Sequence, residues 1–399
     1  MYVTPTTHHK QSQNAAQTLM NARLVGFEGK YWLRLDENSC LTHIEPVTTP
    51  IPPEFQENLQ DMDGDLLSLG GLDLQINGGL GLAFPEVTRD DVPKLREICD
   101  YLWAQGVDGF CPTIVTTSLE NIRRSLSIFA ELWANPKPNT SQILGIHLEG
   151  PFLNYEKRGA HPEQYLQPLT LENLKAVIGE FAPMIKIMTL APELDPSDEC
   201  VEYLHSLNII ISLGHSLATE NQANRAFASG ASMVTHAFNA MPSLHHREAG
   251  LLGAAMVYPE VYCGFIADGN HVNRTMLELF LRATNFRKGA FLVSDALAPI
   301  GLPDGVYPWD DRQITVTNGT ARLDNGTLSG TTLPLFEGVK NLVKWQICTL
   351  EEAIALATIS PRRALNLPTF TTGKPINLLR WQQHNSEITF TRLTTNPCG

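Results

Sequence analysis

From about Leu72 to Asp295, short apolar runs alternate with longer stretches in which apolar residues recur every three or four positions. The short runs are "GLDLQ", "GFCPTIV", "ILGIHLE", "KIMTLAP", "NIIISLGH", "SMVTHAF", "YCGFIAD" and "AFLVSD". Each reads as a buried strand. Between most of them lie helix-period segments such as "DDVPKLREICDYLWAQG", "SLENIRRSLSIFAELWA", "TLENLKAVIGEFAPM" and "TENQANRAFASG". The sixth and seventh runs are joined by a long connection in which "GLLGAAMV" is a candidate short helix. Strands alternating with helices predict a parallel sheet, and eight repeats favour closure into a (β/α)8 barrel of the TIM type. A doubly wound open sheet would not need eight.

The flanks read differently. Residues before about Leu69 are rich in β formers and turns, with "YWLRL" and the loop "TTPIPPEF". The tail after about Asn366 carries "INLLRW" and "EITFTRL". The expected organisation is a barrel over 70–365 and a small β-sandwich domain assembled from both termini, 1–69 and 366–399. "DDRQITVTNGTARLDNGTLSG" predicts a hairpin inserted after the eighth strand, since "NGT" occurs in it twice. "PLFEGVKNLVKWQ", "TLEEAIALATI" and "SPRRALNL" then complete the helical coat.

Composition narrows the partners. A 43% hydrophobic and 18% charged chain of 399 residues is that of a globular protein. A formal charge of −13 argues against a nucleic-acid surface. It leaves room for a small anion, which needs only one or two local cations. The seven cysteines form no CxxC pair and are odd in number, as expected of free thiols in a reducing compartment. The first twenty residues are polar, with no apolar core of a signal peptide, and no apolar run approaches a membrane span. A cytoplasmic protein without a membrane partner is expected.

Barrel chemistry sits at the carboxyl ends of the strands. The first strand ends at Gln75 and Asn77, which share a side at i and i+2. The third gives His147 and Glu149, the fifth His215, the sixth His236. The seventh ends near Asp268 and His271, and the eighth at Asp295. Taken singly, each has an ordinary explanation: a hydrogen-bonded structural histidine, or an aspartate capping a helix. Together, imidazoles and carboxylates converging on one barrel mouth need something to tie them. Glu149, His215 and His236 offer one oxygen and two imidazole nitrogens, the ligand set of open catalytic zinc sites. Asp295 would then be placed to act as general base on an attacking water.

"HLEGPFLN", "GHS", "THAFNAMPSLHHREAG", "IADGNHV", "SDALAP" and "GTLSGTTL" together carry a resemblance. From about Gly71 to "SPRRALNL" the chain is similar to the N-acetylglucosamine-6-phosphate deacetylases of the amidohydrolase superfamily. Many amidohydrolases place His-x-His at the end of the first strand to hold a second metal. Here Gln75-Ile76-Asn77 stands in its place, and Lys186 begins the fourth strand rather than ending it. The resemblance implies the one-metal variety, with Zn2+ expected and Fe2+, Co2+ or Mn2+ as alternatives. The two amides would line the pocket and bond substrate or water.

It also implies hydrolysis of N-acetyl-D-glucosamine 6-phosphate to D-glucosamine 6-phosphate and acetate, in amino-sugar catabolism and cell-wall sugar recycling. His161 matches the histidine that contacts the acetyl carbonyl. Arg247 and His271, with the backbone of Asn239 and Ala240, match the phosphate contacts. Ala160 and the segment Leu328, Ser329 and Gly330 match sugar contacts. In related enzymes the arginine comes from a neighbouring subunit, so a homodimer or homotetramer is implied. Alternatives are a deacetylase of N-acetylgalactosamine 6-phosphate or a non-catalytic sugar-phosphate-binding barrel. His245 and His246 are expected on the loop surface, and His8, His9, His43, His205 and His384 as structural or solvated residues.

Overall fold

The computed structural model describes residues 16–385 and 387–393. The expectations for His8, His9 and Cys398, and for the earliest of the first twenty residues, lie outside these. The contacts divide the chain into two units, one from residues 1–69 and 368–399, the other Gly70–Leu367.

All eight expected strands form the parallel sheet of the second unit. They are Gly71–Ile76, Val107–Val115, Ile146–Glu149, Ile185–Leu190, Ile210–Leu213, Met233–Val234, Tyr262–Phe265 and Ala290–Leu292. Each pairs in parallel with the next, and a short extra strand, Gln142–Ile143, also pairs with the second. The ring is joined between the eighth and first strands by a parallel bridge, Ile76 to Ala296. There the Asp295 N–H donates to the Gln75 carbonyl at 2.9 Å, and the Asn77 N–H to the Ala296 carbonyl at 2.7 Å. Leu72, Leu74, Cys111, Ile187, Met233 and Phe291, from the first, second, fourth, sixth and eighth strands, form a common apolar cluster that fills the barrel.

The helices follow from period and caps. Leu119–Ala134 buries Ile122, Leu126 and Phe129, spaced i, i+4, i+7, and Ser118 Oγ caps it by accepting from the Asn121 N–H. Leu350–Ala364 starts with a reciprocal cap between Thr349 and Glu352. "GLLGAAMV" is indeed a helix, Gly250–Val257. No helix among the described residues is long and apolar enough to cross a membrane.

The insertion after the eighth strand is larger than the expected hairpin. Gly305–Trp309, Arg312–Thr317, Thr320–Leu323 and Leu328–Thr331 form a four-stranded antiparallel sheet. Each "NGT" is a turn: Asn318 and Gly319 both take positive φ, as the tight hairpin needs, and Asn325–Gly326 opens the next connection. The last strand returns to the barrel through a bridge between Thr331 and Ala296.

Both termini build the other unit. Among the described residues, hydrogen bonding links seven strands of this unit into one mixed sheet. Leu378–His384 lies antiparallel to Leu66–Leu69, which lies parallel to Gln17–Leu24. Its core holds Leu19, Leu24, Leu33 and Trp381, whose indole N–H donates to Ser68 Oγ at 2.8 Å.

Candidate active site and metal centre

Four of the strand-end residues meet at the barrel mouth. Glu149 is the last residue of the third strand, while His215, His236 and Asp295 follow two or three residues past theirs. These three take left-handed backbone, at φ +49°, +28° and +46°. Non-glycine residues there cost on the order of 1–3 kcal/mol each, and such strain collects where side-chain aim matters. All four are at least nine-tenths buried.

Glu149 Oε1 lies 3.1 Å from His215 Nε2 and 3.2 Å from His236 Nε2, and the two nitrogens are 2.9 Å apart. His215 Nδ1 sits 2.8 Å from the Lys157 carbonyl, which can only accept. The ring hydrogen of neutral His215 is therefore on Nδ1, and Nε2 turns a lone pair toward Glu149 and His236. His236 Nδ1 is buried with no partner among the described residues. Three electron-rich atoms thus face one point, which fits a divalent cation held by one carboxylate and two imidazoles. The His215–Lys157 bond is the outer-shell support such a ligand needs.

The electrostatics follow. Burial alone would raise Glu149, but the adjacent His215 and His236 rings hold it well below the usual carboxylate range. Burial and the neighbouring Glu149 push Asp295 up to about 8. A bound dication would oppose that rise. His161 falls to about 3 through burial and the adjacent His215. Its Nδ1 lies 2.8 Å from Thr116 Oγ1 and 3.4 Å from the Thr116 N–H. A backbone N–H can only donate, so neutral His161 carries its hydrogen on Nε2, 3.9 Å from Glu149 Oε1.

A family profile described as "Amidohydrolase family" matches residues 93–396. The chain belongs to the amidohydrolase family. Over 316 residues this amidohydrolase is 35% identical to an N-acetylglucosamine-6-phosphate deacetylase of Bos taurus, covering 77% of this chain and 76% of that protein. It is 31% identical over 346 residues to an N-acetylgalactosamine-6-phosphate deacetylase of Escherichia coli O157:H7, covering 86% and 88%. A solved mutant N-acetyl-D-glucosamine-6-phosphate deacetylase of Mycobacterium smegmatis, in complex with N-acetyl-D-glucosamine-6-phosphate, superposes with a TM-score of 0.82. Identity there is 25%, covering 94% of this chain and 97% of that one.

The amidohydrolase site opens into a cavity of about 560 Å3. Asn77, Ala160, His161, Asn239, Ala240, His271, Leu328 and Ser329 line it with Glu149, His215, His236 and Asp295. Three expected contacts do not line it. Gln75 lies behind the carboxylates and bonds them instead of facing the pocket. Gly330 backs Asp295, where a Cβ would come 2.7 Å from the Asp295 carbonyl oxygen. Arg247 stands exposed on the loop with His245 and His246. His271 is oriented by Asp268, with Nδ1 2.8 Å from Oδ2.

"GGLG" is a tight turn: Gly78–Gly79 pairs with Leu82–Ala83 around Leu80 and Gly81, both at positive φ. His43 stacks near Trp32, and His205 and His384 are exposed. Sequence reasoning missed Thr116, Lys157 and the inserted tip Trp309–Asp310–Asp311, all of which line the cavity. Nothing local marks them. It also missed Asp73, 1% exposed and pushed up to about 6 by burial, although that aspartate lies within the first strand run.

Proposed function

We propose that this amidohydrolase removes the acetyl group of N-acetyl-D-glucosamine 6-phosphate, giving D-glucosamine 6-phosphate and acetate. The observation that carries the reading is the convergence of Glu149, His215 and His236 beside the buried Asp295 carboxylate. Relatives acting on acetylated sugar phosphates, by their names, supply the substrate class.

Glu149, His215 and His236 would hold one divalent ion per chain, Zn2+ by preference with Fe2+, Co2+ or Mn2+ as alternatives; when bound, it acidifies water and polarises a carbonyl. Asp295 accepts a proton from the water that attacks the acetyl carbon. The C–N bond then breaks and Asp295 returns that proton to the nitrogen, because an amine leaves poorly as an anion. His161 donates from Nε2 to the carbonyl oxygen as negative charge builds there, and its low pKa keeps it a neutral donor. His271 and the backbone of Asn239 and Ala240 receive the phosphate, while Ala160, Leu328 and Ser329 border the sugar.

Arg247 stands outside its own cavity, which supports the reading that it serves the phosphate of a neighbouring copy in a homodimer or homotetramer. We assign residues 70–365 as the hydrolase domain and place the enzyme in the cytoplasm, in amino-sugar breakdown and recycling. A second reading, N-acetylgalactosamine 6-phosphate as substrate, is favoured by the Escherichia coli O157:H7 relative. A non-catalytic barrel would not need the Asp295 carboxylate at the cavity wall.

The test is acetate release from each epimer with fresh, chelator-stripped and zinc-restored protein. Release from N-acetylglucosamine 6-phosphate that disappears on stripping and returns with zinc supports the proposal. No release from it in any state, with metal bound, overturns it.

A further inference from the structure

Gln75 and Asn77, at the end of the first strand, both reach buried carboxylates, and these contacts assign them a task. Gln75 Nε2 lies 3.2 Å and 3.1 Å from the two Glu149 carboxylate oxygens and 3.3 Å from Asp295 Oδ1. Asn77 Nδ2 donates to the same Asp295 Oδ1 at 2.8 Å. Reversing either amide would press its carbonyl oxygen against carboxylate oxygens, so the amino groups face the anions. Gln75 is 3% exposed and Asn77 2%, where an unpaired carboxylate pair would be costly.

The bonding is uneven across Asp295. Both amides meet Oδ1, and no described residue donates to Oδ2. Asp295 lines the cavity and is 7% exposed, so one oxygen is tied and the other remains open to it. A carboxylate pinned through one oxygen keeps its torsion while the other exchanges a proton.

We propose that Gln75 and Asn77 are positioning residues: their amino groups take the place of a cation between Glu149 and Asp295, and pin Asp295 through Oδ1 so that Oδ2 carries the proton. The role of that proton rests on the deacetylase reading; the replacement of a cation does not.

The two parts have separate tests. Gln75→Glu keeps the size of the side chain, removes both donors and brings a third carboxylate to the same point. After zinc loading and desalting, elemental analysis should find zinc rising from about one per chain in the wild type to about two. A value that stays at about one in folded Gln75→Glu protein overturns the cation-replacement part. Asn77→Asp and Gln75→Met, with zinc retained, should lose on the order of 100-fold in kcat with KM within about threefold. A kcat within about threefold of wild type in both overturns the pinning of Asp295. Should Gln75→Glu fail to fold, zinc content is read in Gln75→His, where an imidazole replaces the donor; about one zinc there overturns the same part. Wild-type protein that releases no acetate sinks the deacetylase reading alone, because the zinc count needs no substrate.

Discussion

His215 Nε2 lies 2.9 Å from His236 Nε2, and both nitrogens face Glu149 Oε1. The ring hydrogen of His215 is committed to the Lys157 carbonyl. Without a cation, a proton on one of the two Nε2 atoms must separate them, and Glu149 raises the affinity of His236 for one against the effect of burial. A metal ion held there would compete with that proton for the same point.

Removing the metal should lower thermal stability as well as activity. A ligand at about 1,000 times its Kd stabilises by about 4 kcal/mol, so stripped protein should melt several degrees lower and recover with zinc. Calorimetry of the stripped and restored protein measures this. Equal melting temperatures would mean that Glu149, His215 and His236 hold no ion.

Asp295→Asn should reduce kcat by on the order of 10²–10⁴ while zinc content stays unchanged, because the side chain is a proton carrier and not a ligand in the proposed mechanism. Steady-state kinetics with elemental analysis on one sample separates the two. Loss of zinc along with activity would make it a ligand.

Asp73 sets a stability term with a definite pH window. Burial raises its folded pKa from 3.8 to about 6, so its protonated form is favoured in the fold. The stability it contributes is fully present below about pH 4 and is lost as pH rises through about 6. Asp73→Asn should therefore be more stable than wild type at pH 7, by up to on the order of 3 kcal/mol, with the difference vanishing near pH 4. Chemical denaturation at both pH values checks the sign. A variant that is less stable at pH 7 would show that the bond from the Ser294 N–H to Asp73 outweighs the burial of charge.

Arg312 ties the inserted sheet to the loop bearing His161. Its Nη2 donates to the Ala160 carbonyl at 2.8 Å, and Nε donates to Asp310 Oδ1 at 2.9 Å. Arg312→Met should loosen that loop and lower kcat about tenfold, with slow-exchanging amides over residues 157–163 becoming faster. Unchanged exchange there would remove the link between the insertion and His161.

Arg247→Ala and Asp295→Asn proteins should each be nearly inactive, yet regain activity when mixed and allowed to exchange subunits. A mixed dimer holds one site with an intact Asp295 and the partner's intact arginine, so recovery should approach about a quarter of wild-type activity. No recovery, despite exchange, would assign Arg247 to its own chain.

The sequence by itself determined the eight strands, because each apolar run is short and most are separated from the next by a helix with an apolar stripe. It also determined which side chains end those strands, and so brought Glu149, His215, His236 and Asp295 into view as one set. Local pattern encodes which residues are buried and where elements stop. It does not encode what a side chain meets across the barrel.

Gln75 and Asp295 are separated by 220 positions and bond only because the eighth strand closes on the first. That closure turned two expected substrate contacts into two different things: Gln75 became a partner of buried carboxylates, and Asn77 kept a place on the cavity wall while bonding Asp295. The tertiary structure alone also brought Trp309 and Asp310 to the cavity, through a four-stranded insertion whose turns were legible but whose docking was not. Arg247 was left outside the cavity of its own chain for the same kind of reason. Strand and helix follow from interactions a few residues apart, whereas the pairing of buried charges is fixed only when distant segments exclude water together.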